Sequence, residues 1–235
     1  MKAISKIIWV SVFLICTVFV THAQDREIVN ELVYWFQYSG KFSLGDKYDG
    51  NVGIQYRHFA DRDEDYHLFF SLGATRSLSN GISVSAGFTN LNINQRVDGK
   101  YVLVPELRPY QSVQMSVPVA RSKVSWRIMT EQRFFRNAMD GELVKGYTHN
   151  WRFRMLINYQ QYLSEKLDLI LNTELMVNAG NINVNIFDQH RGQILLSYKL
   201  EKLSVRAGYM HWFFQTPSNR HENRHTPILI LVHQF

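Results

Sequence analysis

A chain of 235 residues that is 46% apolar, 14% aromatic and 20% charged has ample apolar surface to fold, which excludes a disordered or low-complexity chain. Its formal net charge of +6 is spread along the sequence rather than gathered on one basic face, so nucleic-acid binding has no support. Five prolines occur in all and no Pro/Ser/Gly linker interrupts the chain, so one domain is expected.

Lys2 and Lys6 lead into the apolar stretch Ile7 to Val20, followed by Thr21-His22-Ala23 and Gln24. A positive start, an apolar centre and a small-x-small end are the marks of an export signal, so residues 1–23 are read as a signal peptide cut between Ala23 and Gln24. The 14-residue apolar stretch falls short of the ~20 residues that a membrane-crossing helix needs. Cys16, the single cysteine, lies inside that stretch behind Leu14 and Ile15, where a lipoprotein signal needs a small residue. Residues 24–235 then form the folded domain, without disulfides, thiolate catalysis or cysteine-ligated zinc. They hold 24 basic and 20 acidic residues, and their longest aliphatic run, Ile228 to Val232, is five residues, too short for a helical span.

Period two dominates this part of the chain. Val52, Ile54 and Tyr56 oppose Gly53, Gln55 and Arg57, and Ile82, Val84, Ala86 and Phe88 oppose Ser83, Ser85, Gly87 and Thr89. Val124, Trp126 and Ile128 oppose Ser125, Arg127, Met129, Glu131 and Arg133. Trp151, Phe153, Met155, Ile157 and Tyr159 alternate with Arg152, Arg154, Asn158 and Gln160, and Leu167, Leu169, Leu171, Leu175 and Val177 with Asp168, Asn172, Glu174 and Asn178. The pattern predicts eleven candidate strands, near 32–40, 48–59, 65–76, 82–95, 101–118, 123–136, 147–161, 166–178, 188–200, 203–215 and 226–235. The weakest are 32–40, where Gly40 to Gly45 reads as turn or strand, and 101–118, which contains Pro105, Pro109 and Pro118.

Many of these segments exceed the ~5–6 residues of ordinary strands and suit the ~9–11 that a tilted membrane-crossing strand needs. Short connections at 77–81, 120–122, 163–166 and 200–202 alternate with longer polar ones at 137–146, 179–187 and 216–225, an asymmetry of outer-membrane barrels. The expected architecture is an all-β, antiparallel, up-and-down transmembrane barrel of about ten to twelve strands. Twelve is preferred, because termini on one side of the membrane require an even number. A soluble ligand-binding barrel alternates equally well, with its polar face outward. The export signal, the aromatic residues at strand ends (Trp151 and Tyr159; Tyr209 and Phe213) and the C-terminus favour the bacterial outer membrane. Phe235, with Leu229 and Leu231 at alternate positions, resembles the terminal aromatic strand through which outer-membrane barrels are recognised for assembly. The implied partners are outer-membrane lipid and the barrel assembly machinery.

With the export signal, the strand meander and Phe235, the chain from Gln24 onward resembles the uncharacterised "domain of unknown function 2490" family of bacterial outer-membrane barrels. The resemblance is carried by Tyr34-Trp35-Phe36, by the charge-alternating segments Trp126 to Arg136 and Trp151 to Arg154, and by the turn Leu163-Ser164-Glu165-Lys166-Leu167. It implies fold and location and brings no catalytic residues.

Facing inward, Arg127, Glu131, Arg133, Arg152, Arg154, Asp168, Glu174, Arg191 and Arg206 form a lumen charge network. Such a network either lines a polar, anion-contacting pore or closes the barrel as a salt-bridged plug, and the plug is preferred because buried charges must be paired. The acidic knot Asp61, Asp63, Glu64 and Asp65 lacks the glycine and distal glutamate of a calcium loop, and His221, Glu222 and His225 are read as a solvated loop; no metal site and no cofactor are expected. A small membrane-embedded lipid hydrolase or acyltransferase is the alternative, with Ser79, Ser164, His149, His190 and His211 available but no nucleophile elbow.

Overall fold

The structure, a computed structural model, describes residues 27–61, 66–180, 186–215 and 221–235. The segment 1–23 read as an export signal, with the Ala23–Gln24 junction, and Asp63, Glu64 and Asp65 of the acidic knot lie outside the described residues. The regular elements are all strands: β1 (Ile28–Ser43), β2 (Tyr48–Phe59), β3 (Tyr66–Ser77), β4 (Ile82–Val97), β5 (Lys100–Val119), β6 (Ser122–Met139), β7 (Glu142–Tyr162), β8 (Leu167–Ala179), β9 (Phe187–Lys199), β10 (Leu203–Gln215) and β11 (His221–Gln234). Each of the eleven candidate segments forms one of these strands. They follow one another round a closed up-and-down barrel, each antiparallel to the next.

The strand number is eleven, within the expected range but not the preferred twelve. An odd meander leaves its first and last strands running in the same direction, so β1 closes on β11 through a parallel ladder from Ile28↔His221 to Lys41↔Gln234. A parallel ladder satisfies the backbone and removes the sheet edge as an antiparallel one does, so closure does not dictate parity. The cost is in topology: the chain enters β1 at one rim, here the N-terminal rim, and leaves β11 at the opposite, C-terminal rim.

Local chemistry sets the hairpins. Asn80-Gly81, Asp98-Gly99 and Asp140-Gly141 place both residues at positive φ, 58° and 72°, 48° and 89°, and 55° and 75° respectively. This is the type I′ geometry whose twist matches paired strands and which Asn-Gly and Asp-Gly adopt most readily. The Asp140-Gly141 turn corrects the reading of 137–146 as a long loop: β6 and β7 run up to it as a tall hairpin, with one register shift between Arg136 and Ala138. Likewise 216–225 is not all loop, because β11 begins at His221. The proline-bearing segment is a true strand, 20 residues long, whose ladder to β6 is interrupted between Leu107↔Phe134 and Tyr110↔Glu131, beside the N–H-less Pro109.

Alternation sorts the side chains to the two faces. The outer rows carry exposed Phe36, Ile54, Phe70, Leu72, Val113, Ile128, Met155, Ile194 and Leu196, while Glu106, Asp168 and Glu174 are buried inside. The interior is not wholly polar. Trp35, Ile170, Leu195, Met210, Trp212, Ile228, Ile230 and Val232 form a buried apolar cluster along β8–β11 and β1. Opposite them Tyr110 lies across Gly87 and Gly73, whose absent side chains leave room for its ring.

The seam register is testable by cross-linking. Tyr38→Cys with Leu231→Cys, directly paired across the seam, is expected to form a disulfide in the folded protein. Tyr38→Cys with Pro227→Cys, four positions off register on the same face, is expected to stay reduced; non-reducing electrophoresis of the purified variants distinguishes them.

Candidate functional site

Inside the barrel, residues two apart on one strand project to the same side. That spacing presents Glu106 with Arg108 on β5, Glu131 with Arg133 on β6, Arg152 with Arg154 on β7, and Glu222 with Arg224 on β11. Antiparallel neighbours then interleave these pairs. Arg127 donates to Glu174 at 2.8 Å, and Arg154 donates to Glu174 through Nε at 3.0 Å and through a terminal nitrogen at 2.8 Å. Arg154 also reaches Glu131 Oε1 at 2.8 Å, and Arg152 donates from Nε to Glu131 Oε2 at 2.6 Å. Arg152 continues to Asp188 on β9 at 3.1 Å. The result is an unbroken chain of alternating charge, Arg127–Glu174–Arg154–Glu131–Arg152–Asp188, running across β6 to β9.

A second cluster centres on Glu106, which accepts from Arg108 and, at 2.6 Å, from Arg133 Nε. Glu222 takes both Nε and a terminal nitrogen of Arg224, at 2.9 and 2.6 Å. Nearer the C-terminal rim Asp168 is held by Lys199 at 2.9 Å and Gln160 at 2.8 Å. Carboxylates that accept from two guanidiniums, as Glu106, Glu131 and Glu174 do, offset the desolvation of buried charge with several charge-assisted bonds.

The nine residues singled out from the sequence all lie on inward rows, but not in one cluster. Arg127, Glu131, Arg152, Arg154 and Glu174 belong to the continuous chain, Arg133 to the Glu106 cluster, and Asp168 to the Lys199 pair. Arg191 and Arg206 sit in no ion pair among the described residues. Sequence reasoning missed Glu106, Arg108, Asp188, Glu222 and Arg224, and left Arg57 without a role. Arg57 was readable on the polar row of its strand. Glu106 and Arg108 lay in the proline-bearing segment, Glu222 and Arg224 in a stretch read as loop, and Asp188 at the first position of its candidate strand.

Other residues considered from the sequence lie elsewhere. Leu229, Leu231 and His233 line the outer row of β11, and Phe235 is exposed beside the His233 ring at the C-terminal rim. His221 packs on Phe213 and His225 bonds to the Tyr209 hydroxyl at 2.6 Å, so both belong to a strand and not to a solvated loop. Ser79 and Ser164 lie in turns at the C-terminal rim, whereas His149, His190 and His211 stand on outer rows nearer the N-terminal rim, so no Ser/His pair forms between them. Among the described residues no group of three or more His, Cys, Asp or Glu side chains is placed to hold a metal ion.

Between the charge clusters and the N-terminal rim lies a cavity of about 540 Å³. Six arginines line it, Arg57, Arg108, Arg133, Arg152, Arg191 and Arg224, against one lining carboxylate, Asp188.

Fold and interior together define a closed eleven-stranded β-barrel with an ion-paired, arginine-rich lumen. The chain belongs to the family described as Protein of unknown function (DUF2490), which matches residues 32–223. The sequence matches none of the curated proteins with which it was compared.

The ion-pair chain predicts a large cost for removing its central acid. Glu174→Gln leaves Arg127 and Arg154 short of their shared carboxylate and is expected to destabilise the barrel by about 3–5 kcal/mol, measured by urea unfolding in detergent. Glu165→Gln, in an exposed turn, is expected to change stability by under about 0.5 kcal/mol in the same assay.

Proposed function

We propose that this chain is an integral outer-membrane β-barrel whose lumen is occluded, acting as a structural or ligand-binding barrel rather than as an open pore. The observation that carries the membrane reading is the inversion of the two faces. Ile128 is 61% exposed on the outer face while Glu106 and Asp168 are 0% exposed inside, the reverse of a soluble barrel. Large apolar side chains stand exposed on the outer rows of nearly every strand, a contiguous surface far beyond the few hundred Å² typical of monomers in water. A closed sheet suits that setting because lipid offers no partner to a free strand edge. The segment from Lys2 to Ala23, read as an export signal, supports the same location, with outer-membrane lipid and the assembly machinery as the proposed partners.

The occlusion rests on the lumen contents. An ion-pair chain reaches across β6 to β9, the tryptophan-containing apolar cluster fills the side formed by β8–β11 and β1, and Tyr110 covers the glycine side. Barrels of about eight strands are filled by side chains or hold one small ligand, whereas those of about 16–18 leave an aqueous channel, and eleven strands fall nearer the former.

Two measurements test this. After cell fractionation the protein is expected in the outer membrane and extractable only with detergent; a folded, monodisperse protein in plain buffer would sink the membrane reading. Reconstituted in planar bilayers, the folded barrel is expected to give no steady channel currents, and sustained conductance would overturn the occlusion.

A further inference from the structure

Three features of the molecule reach beyond the ion-pair network: an outer-surface groove over Ala74 and Ala86, a row of outward histidines on β9 to β11, and the arginine-lined cavity. The cavity carries an inference furthest, because its charge and its hydrogen-bond donors are both left over. Among the described residues, eight inward arginines in this half of the barrel, 57, 108, 127, 133, 152, 154, 191 and 224, face six inward carboxylates, at 31, 106, 131, 174, 188 and 222. Arg57 and Arg191 are the two without a carboxylate partner among the described residues.

Both are buried, and both are held by neutral groups. Arg57 lies over the Trp35 ring at 3.6 Å, with Phe69 at 4.1 Å, and donates one terminal nitrogen to Gln55 at 2.9 Å. Arg191 lies 4.7 Å from the Trp212 ring and donates to Gln189 at 2.7 Å. The two indoles meet edge to face at 6.2 Å, so one aromatic pair supports both guanidiniums. Stacking covers the faces of a guanidinium and leaves only its in-plane N–H edge to recognise a ligand. Part of that edge is left without a partner: Arg57 Nε and Arg191 Nε, with Trp35 Nε1 and Trp212 Nε1, are buried donors with no acceptor among the described residues. Buried donors without acceptors and buried charge without counter-charge are both costly, and a single oxyanion answers both.

We infer that this cavity is a binding site for a small organic oxyanion, a phosphate or carboxylate carried on an apolar or aromatic body. The anionic group sits between the Arg57 and Arg191 edges, which can grip it as guanidiniums grip planar and tetrahedral oxyanions elsewhere. The body lies toward the N-terminal rim, where Leu91, Ile93, Phe135, Phe187 and Phe214 form the apolar part of the wall. The volume of about 540 Å³ falls within the range of small-molecule sites. The inference concerns the interior alone and does not depend on which medium surrounds the barrel.

The test uses the full folded protein in detergent and phenyl phosphate as the probe, with phenol and inorganic phosphate as its two halves. Titration calorimetry is expected to give saturable binding of phenyl phosphate with a Kd below ~1 mM, and weaker binding of either half. The thermal midpoint is expected to rise with phenyl phosphate, since the ligand binds only the folded state. Arg57→Gln and Arg191→Gln are each expected to weaken binding by about tenfold or more while keeping the β circular-dichroism signature. Arg206→Gln, outside the cavity, is expected to leave binding unchanged. Absence of saturable binding to the wild-type barrel overturns the proposal, as does equal binding to the Arg57→Gln/Arg191→Gln double variant. Phenol binding as tightly as phenyl phosphate overturns the anion assignment, and inorganic phosphate binding as tightly overturns the apolar body. The wild-type titration needs no variant to fold, so the proposal stays open to refutation if either substitution is poorly tolerated.

Discussion

Charge enclosed by a closed sheet has to be neutralised within that sheet, and this requirement organises the interior. A guanidinium has five in-plane donors and a carboxylate about four acceptor sites, so an alternating chain of the two can be extended from strand to strand with each carboxylate shared. Glu131 on β6 and Glu174 on β8 occupy such shared positions between the β6 and β7 arginines. The chain couples four strands through side chains in addition to their backbone ladders. Arg57 on β2 and Arg191 on β9, which sit in no ion pair among the described residues, are supported instead by the rings of Trp35, Phe69 and Trp212.

The same change of chemistry divides the lumen into regions with different roles. The β6–β9 side is held by ion pairs, the side made by β8–β11 and β1 carries the apolar cluster with Asp168, Lys199 and Arg206 nearer the C-terminal rim, and the cationic excess among the described residues is concentrated toward the N-terminal rim. Each region is continuous with the register that produces it. Arg191 and Trp212 are directly paired across β9 and β10, and Trp212 and Arg224 across β10 and β11, so the backbone ladder itself places cation beside ring beside cation.

Much of the fold is legible in the sequence because strict alternation of apolar and charged residues has one low-energy solution in an extended chain, with the two kinds of residue on opposite faces. The segment around Trp151 to Tyr159 is the clearest case. Legibility fails where alternation does. From Ile228 to Val232 every residue is aliphatic, so nothing in the pattern reveals that Ile228, Ile230 and Val232 turn inward while Leu229 and Leu231 turn outward. Glu106 and Arg108 are obscured by the prolines flanking them, and Glu222 and Arg224 by the turn-like composition before them. Asp98-Gly99 and Asp140-Gly141 were visible turn signals, and reading them would have extended the tall central hairpins. Which acid meets which base depends on register and on barrel closure, neither of which a single strand encodes.

The parallel ladder between β1 and β11 carries a consequence for how the molecule is made. It joins residues nearly two hundred positions apart, the most distant strand pairing among the described residues, and such contacts form late because loop-closure entropy must first be overcome. Trp35 arrives on one side of that join, while Trp212 and Arg224 arrive near the other. The cationic chamber therefore does not exist in any partly assembled sheet. It comes into being only when the cylinder seals, so a ligand held there would act as a latch on completed molecules and leave nascent ones untouched.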